Sequence, residues 1–326
     1  MKLKEKTILV TGGAGFIGSH LVERLVQENP KKIIVVDNLH LGKQSNLSKA
    51  KSEFTSLDFY KLDVSLYEEI YKIFDKEKID MVFSLAVTPL PECLEKPQET
   101  FLKNIQMVSS LCELQRRNKF STLIHFSSSE TYGTAIYKPM DEDHPLMGTT
   151  TYAASKSACD LLIFSYYKMF GIDYSIIRPF NNYGPRQNYG LYSAIIPSML
   201  KKIYNNEPLE IYGNGTQTRD FIYVNDTVEA SVLISKNEKT RSKVINVGSG
   251  KEIQIKFLVN MLCDLTSYDK KNIKYVGKRV ADVNSHISDI SLCKETIGFE
   301  PKISLQEGIE KTINWYFDEF KNRNFN

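Results

Sequence analysis

Short apolar runs and longer helical segments alternate along the first 180 residues. The short runs are rich in β-branched side chains and bounded by turn residues, which predicts buried strands, whereas apolar residues recurring at helical spacing predict helices. Strands are predicted at residues 7–11, 32–37, 54–62, 81–85, 122–127 and 174–178. Helices are predicted at residues 16–27, 66–74, 97–117 and 152–170. This alternation predicts an α/β fold built on a doubly wound parallel sheet of the Rossmann type.

The regular alternation fades after Pro179. The remaining sequence predicts a helix over 195–204, a turn at 213–215, a strand over 220–224 and a helix that begins at Asp226. Such a mixture is more typical of a smaller, mixed α/β domain that covers a substrate than of a second parallel sheet. We therefore expect a Rossmann domain over residues 1–178, which carries the catalytic residues, and a mainly substrate-binding domain over 179–326, with some interleaving of elements.

The composition is that of a globular protein with no preference for nucleic acid. The 326 residues are 42% hydrophobic and 25% charged, and 42 Lys and Arg residues against 39 Asp and Glu residues leave a net charge of +3. No run of basic residues forms the stripe that binds a phosphate backbone.

The cysteines, histidines and apolar stretches indicate a cytoplasmic protein without a metal site. The five cysteines are widely spaced and match neither a zinc clamp nor a disulfide framework, so we expect reduced thiols. The five histidines show no metal-ligand spacing. The charged residues 1–6 precede an apolar run too short for a signal peptide, and no apolar stretch approaches the roughly 18 residues of a membrane helix.

A glycine-rich turn follows the first predicted strand. Residues 11–18 read Thr-Gly-Gly-Ala-Gly-Phe-Ile-Gly, in which Gly12, Gly15 and Gly18 are three apart. This spacing gives a tight turn, a bare backbone for a pyrophosphate and close packing of the helix on the strand. Asp37, nineteen residues beyond Gly18, can accept hydrogen bonds from an adenosine ribose and repel a 2′-phosphate. The turn and the carboxylate together predict NAD rather than NADP.

The pair Asp63 and Val64, after the third predicted strand, has two interpretations of equal weight. The pair could contact the adenine of the dinucleotide, or Asp63 could cap the helix that is predicted to begin near Leu66.

A tyrosine and a lysine are placed for acid–base chemistry. Tyr152 and Lys156 are four residues apart, hence on one face of a predicted helix. The strand before that helix ends in three serines and Glu130, and ligands bind at strand ends in an open parallel sheet. A neighbouring ammonium favours the phenolate form of tyrosine. The phenolate could then remove the proton of a substrate alcohol, oriented by a serine hydroxyl, as hydride leaves for a nicotinamide.

On these motifs the chain resembles the extended short-chain dehydrogenase/reductases, in their nucleotide-sugar epimerase and dehydratase branch. The resemblance covers nearly the whole chain and rests on residues 11–18, Asp37, Asp63, Val64, Leu85, Ala86, 127–133, Tyr152, Lys156, 178–187, 217–220, Arg279 and Asp282. It implies NAD that is reduced and reoxidised within one turnover, a 4-keto sugar as the transient intermediate, and a homodimer paired through helices 97–117 and 152–170.

The resemblance also implies a role for each matching residue. Tyr152 is the base at the sugar 4-hydroxyl, Lys156 also holds the nicotinamide ribose, and Ser128 is the hydroxyl partner. The implied cofactor-binding residues are Gly12, Gly15, Phe16, Ile17, Gly18, Asp37, Asn38, Asp63, Val64, Leu85, Ala86, Tyr152 and Lys156. The implied substrate-binding residues are Ser128, Ser129, Asn181, Arg219 and Arg279, of which the two arginines meet the nucleotide diphosphate.

Glu130 distinguishes the reactions of this branch. Ser128-Ser129-Glu130 resembles the Thr-Ser-Glu of GDP-mannose 4,6-dehydratases and UDP-glucuronate decarboxylases, and in the dehydratases that Glu removes the C5 proton. The chain departs from other members, because Ser129 stands where dTDP-glucose 4,6-dehydratases have an aspartate and Ser84 replaces a histidine common in epimerases. A structural interpretation is that Glu130 only caps or pairs near the following turn.

The leading hypothesis is 4,6-dehydration of a UDP-, GDP-, dTDP- or CDP-hexose, with Glu130 as the C5 base. Within the same chemistry, 4-epimerisation is the second hypothesis and decarboxylation of a UDP-glucuronate-type substrate is the third. A rival from another class is a non-catalytic NAD-binding regulator, which the fold alone does not exclude. A net-oxidising dehydrogenase or reductase is a further alternative.

Overall fold

The structure is a computed structural model that describes residues 2–190, 193–278 and 283–324. Its strands, in chain order, are β1 (Thr7–Thr11), β2 (Lys32–Val36), β3 (Leu57–Tyr60), β4 (Met81–Ser84), β5 (Thr122–Phe126), β6 (Asp173–Pro179), β7 (Asn181–Tyr183), β8 (Leu209–Tyr212), β9 (Thr218–Arg219), β10 (Phe221–Tyr223), β11 (Lys243–Val247), β12 (Ile253–Gln254) and β13 (Ile273–Val276). Its α-helices are α1 (Phe16–Val26), α2 (Ser48–Glu53), α3 (Tyr67–Lys76), α4 (Leu90–Cys93), α5 (Pro97–Arg116), α6 (Thr151–Phe170), α7 (Ile195–Tyr204), α8 (Val224–Lys236), α9 (Ile255–Thr266), α10 (Ser291–Ile297) and α11 (Leu305–Asn324).

Seven parallel strands form the central sheet, in the order β11-β6-β5-β4-β1-β2-β3. β1 lies inside the sheet, with Ile8 beside Ile33 of β2 on one side and Met81 of β4 on the other. The chain builds the sheet outward from β1 to β3 and then returns to begin the other half at β4. The strand order therefore reverses beside β1, which is where open α/β sheets bind ligands. The predicted fold class, a doubly wound parallel sheet, is confirmed.

Helices cover both faces of this sheet, which is why its strands are apolar almost throughout. Ile8 and Val10 of β1 pack on one face with residues of α1 and α8, whereas Leu9 packs on the other face with residues of α3, α5 and α6. All five residues of β1 are buried. The third predicted strand, residues 54–62, is too long, because only Leu57–Tyr60 pairs with β2.

β11 joins the central sheet although it comes late in the chain, and α8 packs against α1. The two parts of the chain therefore interleave: the segment from α8 to β11 returns to the large sheet after β7 to β10 have left it. β11 is not among the predicted strands. Its apolar run is interrupted by Asn246, which is fully buried and hydrogen-bonded to the Tyr132 hydroxyl and the Met140 carbonyl.

Three small sheets lie beside the carboxyl ends of the large one. Together with the helices α7, α9 and α11 they form a second part of the molecule, which we term the cap. β7 pairs with β10 and β8 with β13 in parallel, whereas β9 pairs with β12 antiparallel. The cap has its own apolar core, with Leu200 of α7, Leu258 of α9 and Ile309 of α11 fully buried. Among the described residues, no helix combines the length and apolar character that crossing a bilayer requires.

Candidate active site

A cavity of about 1210 Å³ lies between the carboxyl ends of the central strands and the cap. It is lined by every described residue that the sequence predicts for the site. These are Gly12, Gly15, Phe16, Ile17, Gly18, Asp37, Asn38, Asp63, Val64, Leu85, Ala86, Ser128, Ser129, Glu130, Tyr152, Lys156, Asn181 and Arg219. Arg279 and Asp282 lie outside the described residues.

The glycine turn brings the backbone of β1 against that of β4. A Cβ atom on Gly12, where φ is +68°, would lie 2.8 Å from the Ala86 nitrogen, and one on Gly18 would lie 2.1 Å from the Gly12 oxygen. The Thr11 hydroxyl accepts hydrogen bonds from the amides of Leu85 and Ala86 at 3.1 and 3.2 Å. No side chain caps the first turn of α1. The bare turn and the uncapped amides of α1 fit a pyrophosphate.

Asp37 is buried at the end of β2 and borders the same turn. Its carboxylate accepts hydrogen bonds from the amides of Ala14 and Leu39 at 3.0 and 2.8 Å. Burial raises the pKa of Asp37, although the amides of Leu39, Ala14 and Gly15 act in the opposite direction. The carboxylate is thus held rigidly in the cavity wall, where it fits a ribose with two hydroxyls and disfavours a 2′-phosphate.

The structure tests one of the two interpretations of Asp63, the capping of α3. The carboxylate does not cap α3, whose N-cap residue, Leu66, has no side-chain capping bond. Instead, Asp63 accepts a hydrogen bond from the Ser65 hydroxyl at 2.7 Å and pairs with the Lys103 ammonium at 2.8 Å. Burial opposes ionisation, but Lys103 and Ser65 together lower the pKa of Asp63 to about 2. The capping interpretation is therefore wrong, and adenine contact stays a prediction.

The predicted catalytic side chains meet at the start of α6. Thr150 begins the helix by accepting a hydrogen bond from the Ala153 amide at 3.1 Å. Tyr152, in the first turn, is partly exposed and lines the cavity, and its phenol interacts with the Ser128 side chain. Lys156, one turn later, is buried and donates to the Phe126 carbonyl oxygen. The structure thus brings Ser128, Tyr152 and Lys156 together from β5 and α6.

The electrostatics differ from the expectation that Lys156 makes the phenol acidic. Burial raises the pKa of Tyr152, the neighbouring Ser128 side chain lowers it, and the negative charge of Glu130 raises it further. Burial also lowers the pKa of Lys156, while Cys159 and Asp160 act to raise it. The net pKa of the phenol lies above its ordinary value, because loss of hydration and the charge of Glu130 outweigh the effect of Ser128. The acidification expected from Lys156 alone is therefore wrong.

Glu130 follows Ser128 in a short 3-10 helix, Ser129–Tyr132. The Ser128 hydroxyl accepts a hydrogen bond from the Glu130 amide at 3.2 Å, so the serine caps this turn and Glu130 only supplies the backbone donor. The Glu130 side chain is partly exposed and lines the cavity, close enough to raise the pKa of Tyr152. Ser129 is buried, at 3% exposure, in the same wall. A carboxylate and a phenol therefore share one end of the cavity.

The cap contributes the predicted substrate residues. Arg219 of β9 donates to the carbonyls of Thr218 and Val283 at 2.8 and 2.6 Å. The backbone N–H of Asn181 in β7 donates to the Asp220 carbonyl at 2.9 Å. The side-chain oxygen of Asn181 is buried with no hydrogen-bond partner among the described residues. Both side chains line the cavity, so the polar groups of the cap face the glycine turn across it.

Several lining residues carry no prediction from the sequence. Lys103 lies on α5, far from any motif, and only the folded chain brings its ammonium to Asp63. Arg186 falls within the resembling stretch 178–187 but has no predicted role. Its guanidinium pairs with Glu23 of α1 at 2.5 Å. The cap side is completed by side chains of α7, β8, α9 and the loop before β9: Met199, Lys202, Glu210, Ile211, Tyr212, Gln217 and Ile255. Among the described residues, no group of His, Cys, Asp and Glu could hold a metal ion.

Comparison with known proteins identifies relatives of the whole chain. A sequence model described as the NAD dependent epimerase/dehydratase family matches residues 8–248. A UDP-glucuronate 4-epimerase of Thermodesulfobacterium geofontis is 32% identical over 317 residues, which cover 94% of this chain and 95% of the relative. A UDP-N-acetyl-alpha-D-glucosaminuronate decarboxylase of Bacillus cytotoxicus is 31% identical over 323 residues, covering 96% and 98% of the two chains.

A solved structure extends the comparison to a third reaction. The dTDP-glucose 4,6-dehydratase DesIV of Streptomyces venezuelae, solved with NAD bound, superposes with a TM-score of 0.90 at 26% identity and covers 98% of each chain. These relatives differ in the reaction that their names state.

Proposed function

The chain belongs to the NAD-dependent epimerase/dehydratase family, and we propose that it oxidises the C4 hydroxyl of a nucleotide-activated hexose and then eliminates water across C5 and C6. The observation that carries this proposal is the shared cavity. Ser128, Glu130 and Tyr152 line this cavity together with the glycine turn. A phenol, a carboxylate and a dinucleotide site therefore border the same space for a substrate.

The cofactor of this family is NAD. The turn of Gly12 to Gly18 and the first amides of α1 would hold its pyrophosphate, and the Asp37 carboxylate would accept the adenosine ribose. Leu85, Ala86 and Lys156 would border the nicotinamide end. When bound, NAD supplies a hydride acceptor and a positive charge that favours ionisation of nearby groups.

Tyr152 is the proposed base at the sugar 4-hydroxyl. Its phenol interacts with the Ser128 side chain, so the serine can orient the substrate hydroxyl while the phenolate takes its proton. The raised pKa of Tyr152 means that the phenol holds its proton in the protein alone. Ionisation is then coupled to the arrival of positive charge in the cavity. Such coupling would limit base catalysis to the loaded enzyme.

Glu130 is the proposed base at C5. A ketone at C4 acidifies the C5 proton, so the carboxylate can remove it while the electron pair forms the C5–C6 double bond and the C6–O bond breaks. The departing hydroxide takes up a proton and leaves as water. Because the neighbouring Ser129 carries no acidic proton of its own, we assign both proton transfers to Glu130. C6 would then take back the hydride removed from C4, and C5 a proton from solvent, so that the cofactor ends the turnover oxidised.

The second candidate is 4-epimerisation, the reaction for which a relative of 32% identity is named. In that reaction Glu130 would have no proton to move. The third is decarboxylation, which a relative of 31% identity is named for. All three begin with the C4 oxidation assigned to Tyr152, so they differ only in the fate of the 4-keto sugar.

A panel of UDP, GDP, dTDP and CDP sugars would test the proposal, with products followed by mass spectrometry. Loss of one water supports dehydration, an isomer of unchanged mass supports epimerisation, and loss of carbon dioxide supports decarboxylation. Accumulation of free NADH would indicate a net-oxidising enzyme, and selective binding without turnover would indicate an NAD-binding regulator.

Replacing Glu130 with Gln tests its role directly. We expect Glu130→Gln to abolish dehydration while slow C4 oxidation persists, because the amide cannot accept the C5 proton. Glu99→Gln is the matched control, since Glu99 also borders the cavity but is exposed on α5. An unchanged product yield in Glu130→Gln would remove this residue from the mechanism.

A homodimer is part of the proposed enzyme. The outer face of α6 exposes Leu161 and Met169 at 60% and 70% and Phe164 at 46%. Such a cluster of apolar side chains is typical of an interface rather than of a solvated helix. Sedimentation velocity of the wild type and of a Leu161→Asp variant would test this assembly, since a charge at a paired helix face should favour monomers.

A further inference from the structure

Asp160 connects three elements of the active site. It is buried on α6, and its Oδ2 atom accepts hydrogen bonds from the Ser127 hydroxyl at 2.9 Å and from Nε and Nη2 of Arg178 at 3.0 and 2.9 Å. Ser127 directly follows β5 and precedes Ser128. Arg178 is near the end of β6, three residues before Asn181. One carboxylate therefore links β5, β6 and α6 at the wall of the cavity.

Asp160 shares a stripe of α6 with the proposed catalytic pair. Tyr152, Lys156 and Asp160 are successive members of an i, i+4, i+8 series, so they lie on one face of the helix. A bond at Asp160 thus fixes the rotation of α6 one turn beyond Lys156 and two turns beyond Tyr152. Small rotations of this helix would move the phenol relative to Ser128.

The guanidinium partner of Asp160 is itself held in place. Arg178 donates to the Tyr132 hydroxyl at 3.0 Å and stacks on the Tyr132 ring, with 4.8 Å between the guanidinium carbon and the ring centroid. Tyr132 belongs to the 3-10 helix that carries Glu130 and donates in turn to Asn246 of β11 at 2.7 Å. The network therefore continues from Asp160 to the 3-10 helix that carries Glu130.

Both charged side chains are buried, each at 5% exposure. A buried pair of this kind seldom exceeds well-packed apolar residues in stability, and specificity of arrangement is its better-attested contribution. The other oxygen of Asp160, Oδ1, is buried and has no hydrogen-bond partner among the described residues. The Asp160 charge is thus only partly compensated by hydrogen bonds and acts on its surroundings through the protein interior.

We propose, on the basis of the proposed function, that Asp160 is a positioning residue that holds Ser128, the Tyr152–Lys156 helix and the strand before Asn181 in catalytic register. It touches neither the cavity nor a reacting atom. Its second effect is electrostatic: the titratable groups that act on or respond to the Lys156 ammonium are Cys159 and Asp160 on α6 and His125 on β5. Burial keeps the thiol and the imidazole neutral, so Asp160 supplies the negative charge that favours the ammonium form.

Replacing Asp160 with Asn tests this proposal, because the amide keeps the shape and removes the charge. We expect kcat to fall about 10- to 100-fold with little change in KM, as for a displacement of catalytic groups. We also expect the alkaline limb of the pH profile of kcat to move to lower pH, since Lys156 then loses its proton more easily. NADH binding, followed by fluorescence titration, should weaken.

Asp226→Asn is the matched control. Asp226 is equally buried, at 5% exposure, and accepts hydrogen bonds from the amides of Lys302 and Ile303, but it lies on α8 outside the cavity lining. We expect Asp226→Asn to lower the melting temperature without moving the pH profile or NADH affinity. Equal changes in the two variants would overturn the positioning role, because loss of any buried carboxylate would then explain them.

A double variant addresses the unpaired arginine that Asp160→Asn leaves behind. Asp160→Asn with Arg178→Met removes both charges, so it should recover stability while kcat and the pH profile stay altered. Recovery of wild-type kinetics would overturn the proposal, and so would failure of both variants to fold while Asp226→Asn folds. If the wild type converts no nucleotide sugar, the proposed function fails, yet weakened NADH binding confined to the Asp160 variants would still support the positioning role.

Discussion

The two sides of the cavity are built in different ways. One side, which we term the wall, consists of the turns that follow six parallel strands, β1 to β6, together with side chains of α5 and α6 such as Lys103, Tyr152 and Lys156. The cap is assembled from two-stranded sheets whose members are distant in sequence, as in the pairing of β8 with β13. The wall carries the cofactor and proton-transfer groups, and the cap carries the groups that face the rest of the substrate.

The wall and the cap therefore differ in how far they can change without disturbing the fold. The wall depends on short, regular spacings, which tolerate little change. The cap depends on polar nodes such as Glu252, whose carboxylate accepts hydrogen bonds from Lys138, Thr218 and Ser285 at 2.5, 2.6 and 2.6 Å. Loops that meet at such a node can change together without disturbing the large sheet. Relatives named for three different reactions are therefore compatible with one wall.

Removal of the Tyr152 hydroxyl should have the largest effect on the wall. We expect Tyr152→Phe to lower kcat about 1000-fold, the middle of the range for a lost general base. The melting temperature should stay close to that of the wild type, because the ring still packs. Stopped-flow absorbance of bound NADH during the first turnover measures the step directly. Retention of more than a tenth of the activity would assign the proton transfer to another group.

A methyl group at Gly18 should affect the wall next most strongly. The added Cβ would lie 2.1 Å from the Gly12 oxygen, a backbone atom that cannot move aside without opening the turn. We expect Gly18→Ala to lower NAD affinity at least about 10-fold by isothermal titration, because the pyrophosphate loses its close backbone approach.

The matched control for this substitution lies near the cap. Gly277 has no atom within 4 Å of an added Cβ and no positive φ. We expect Gly277→Ala to leave both NAD affinity and stability unchanged. A similar loss of NAD affinity in the two variants would show that the glycine turn has no special role.

The pH dependence of stability offers a third comparison of the wall and the cap, through one carboxylate on each side. We expect its effects to be the smallest of the three. The pKa values of Asp63 in the wall and Glu252 in the cap are both lowered to about 2, against burial, by the ammonium and hydroxyl groups that they accept from. Ionisation therefore stabilises the folded chain above the ordinary pKa values of about 4, and this stabilisation is lost as the pH falls from about 5 towards 2. We expect it to be about 1 kcal/mol for each group after solvent screening.

Asp63→Asn and Glu252→Gln should each make the melting temperature less dependent on pH between 5 and 2. They should differ in ligand binding, because we expect Asp63→Asn to weaken NAD and Glu252→Gln to weaken only the nucleotide sugar. Thermal unfolding at several pH values, with and without each ligand, measures both effects. Weakened NAD binding in Glu252→Gln would break the division between wall and cap.

The sequence alone determined the parallel sheet, the glycine turn and the Tyr152–Lys156 pair, because each depends on spacings of a few residues that backbone geometry converts directly into position. Only the tertiary structure decided that β11 returns to the large sheet, that Asp63 pairs with Lys103 rather than capping α3, and that Tyr152 has a raised pKa. These properties depend on which distant groups become neighbours and how much water burial removes. Neither quantity is set by local spacing.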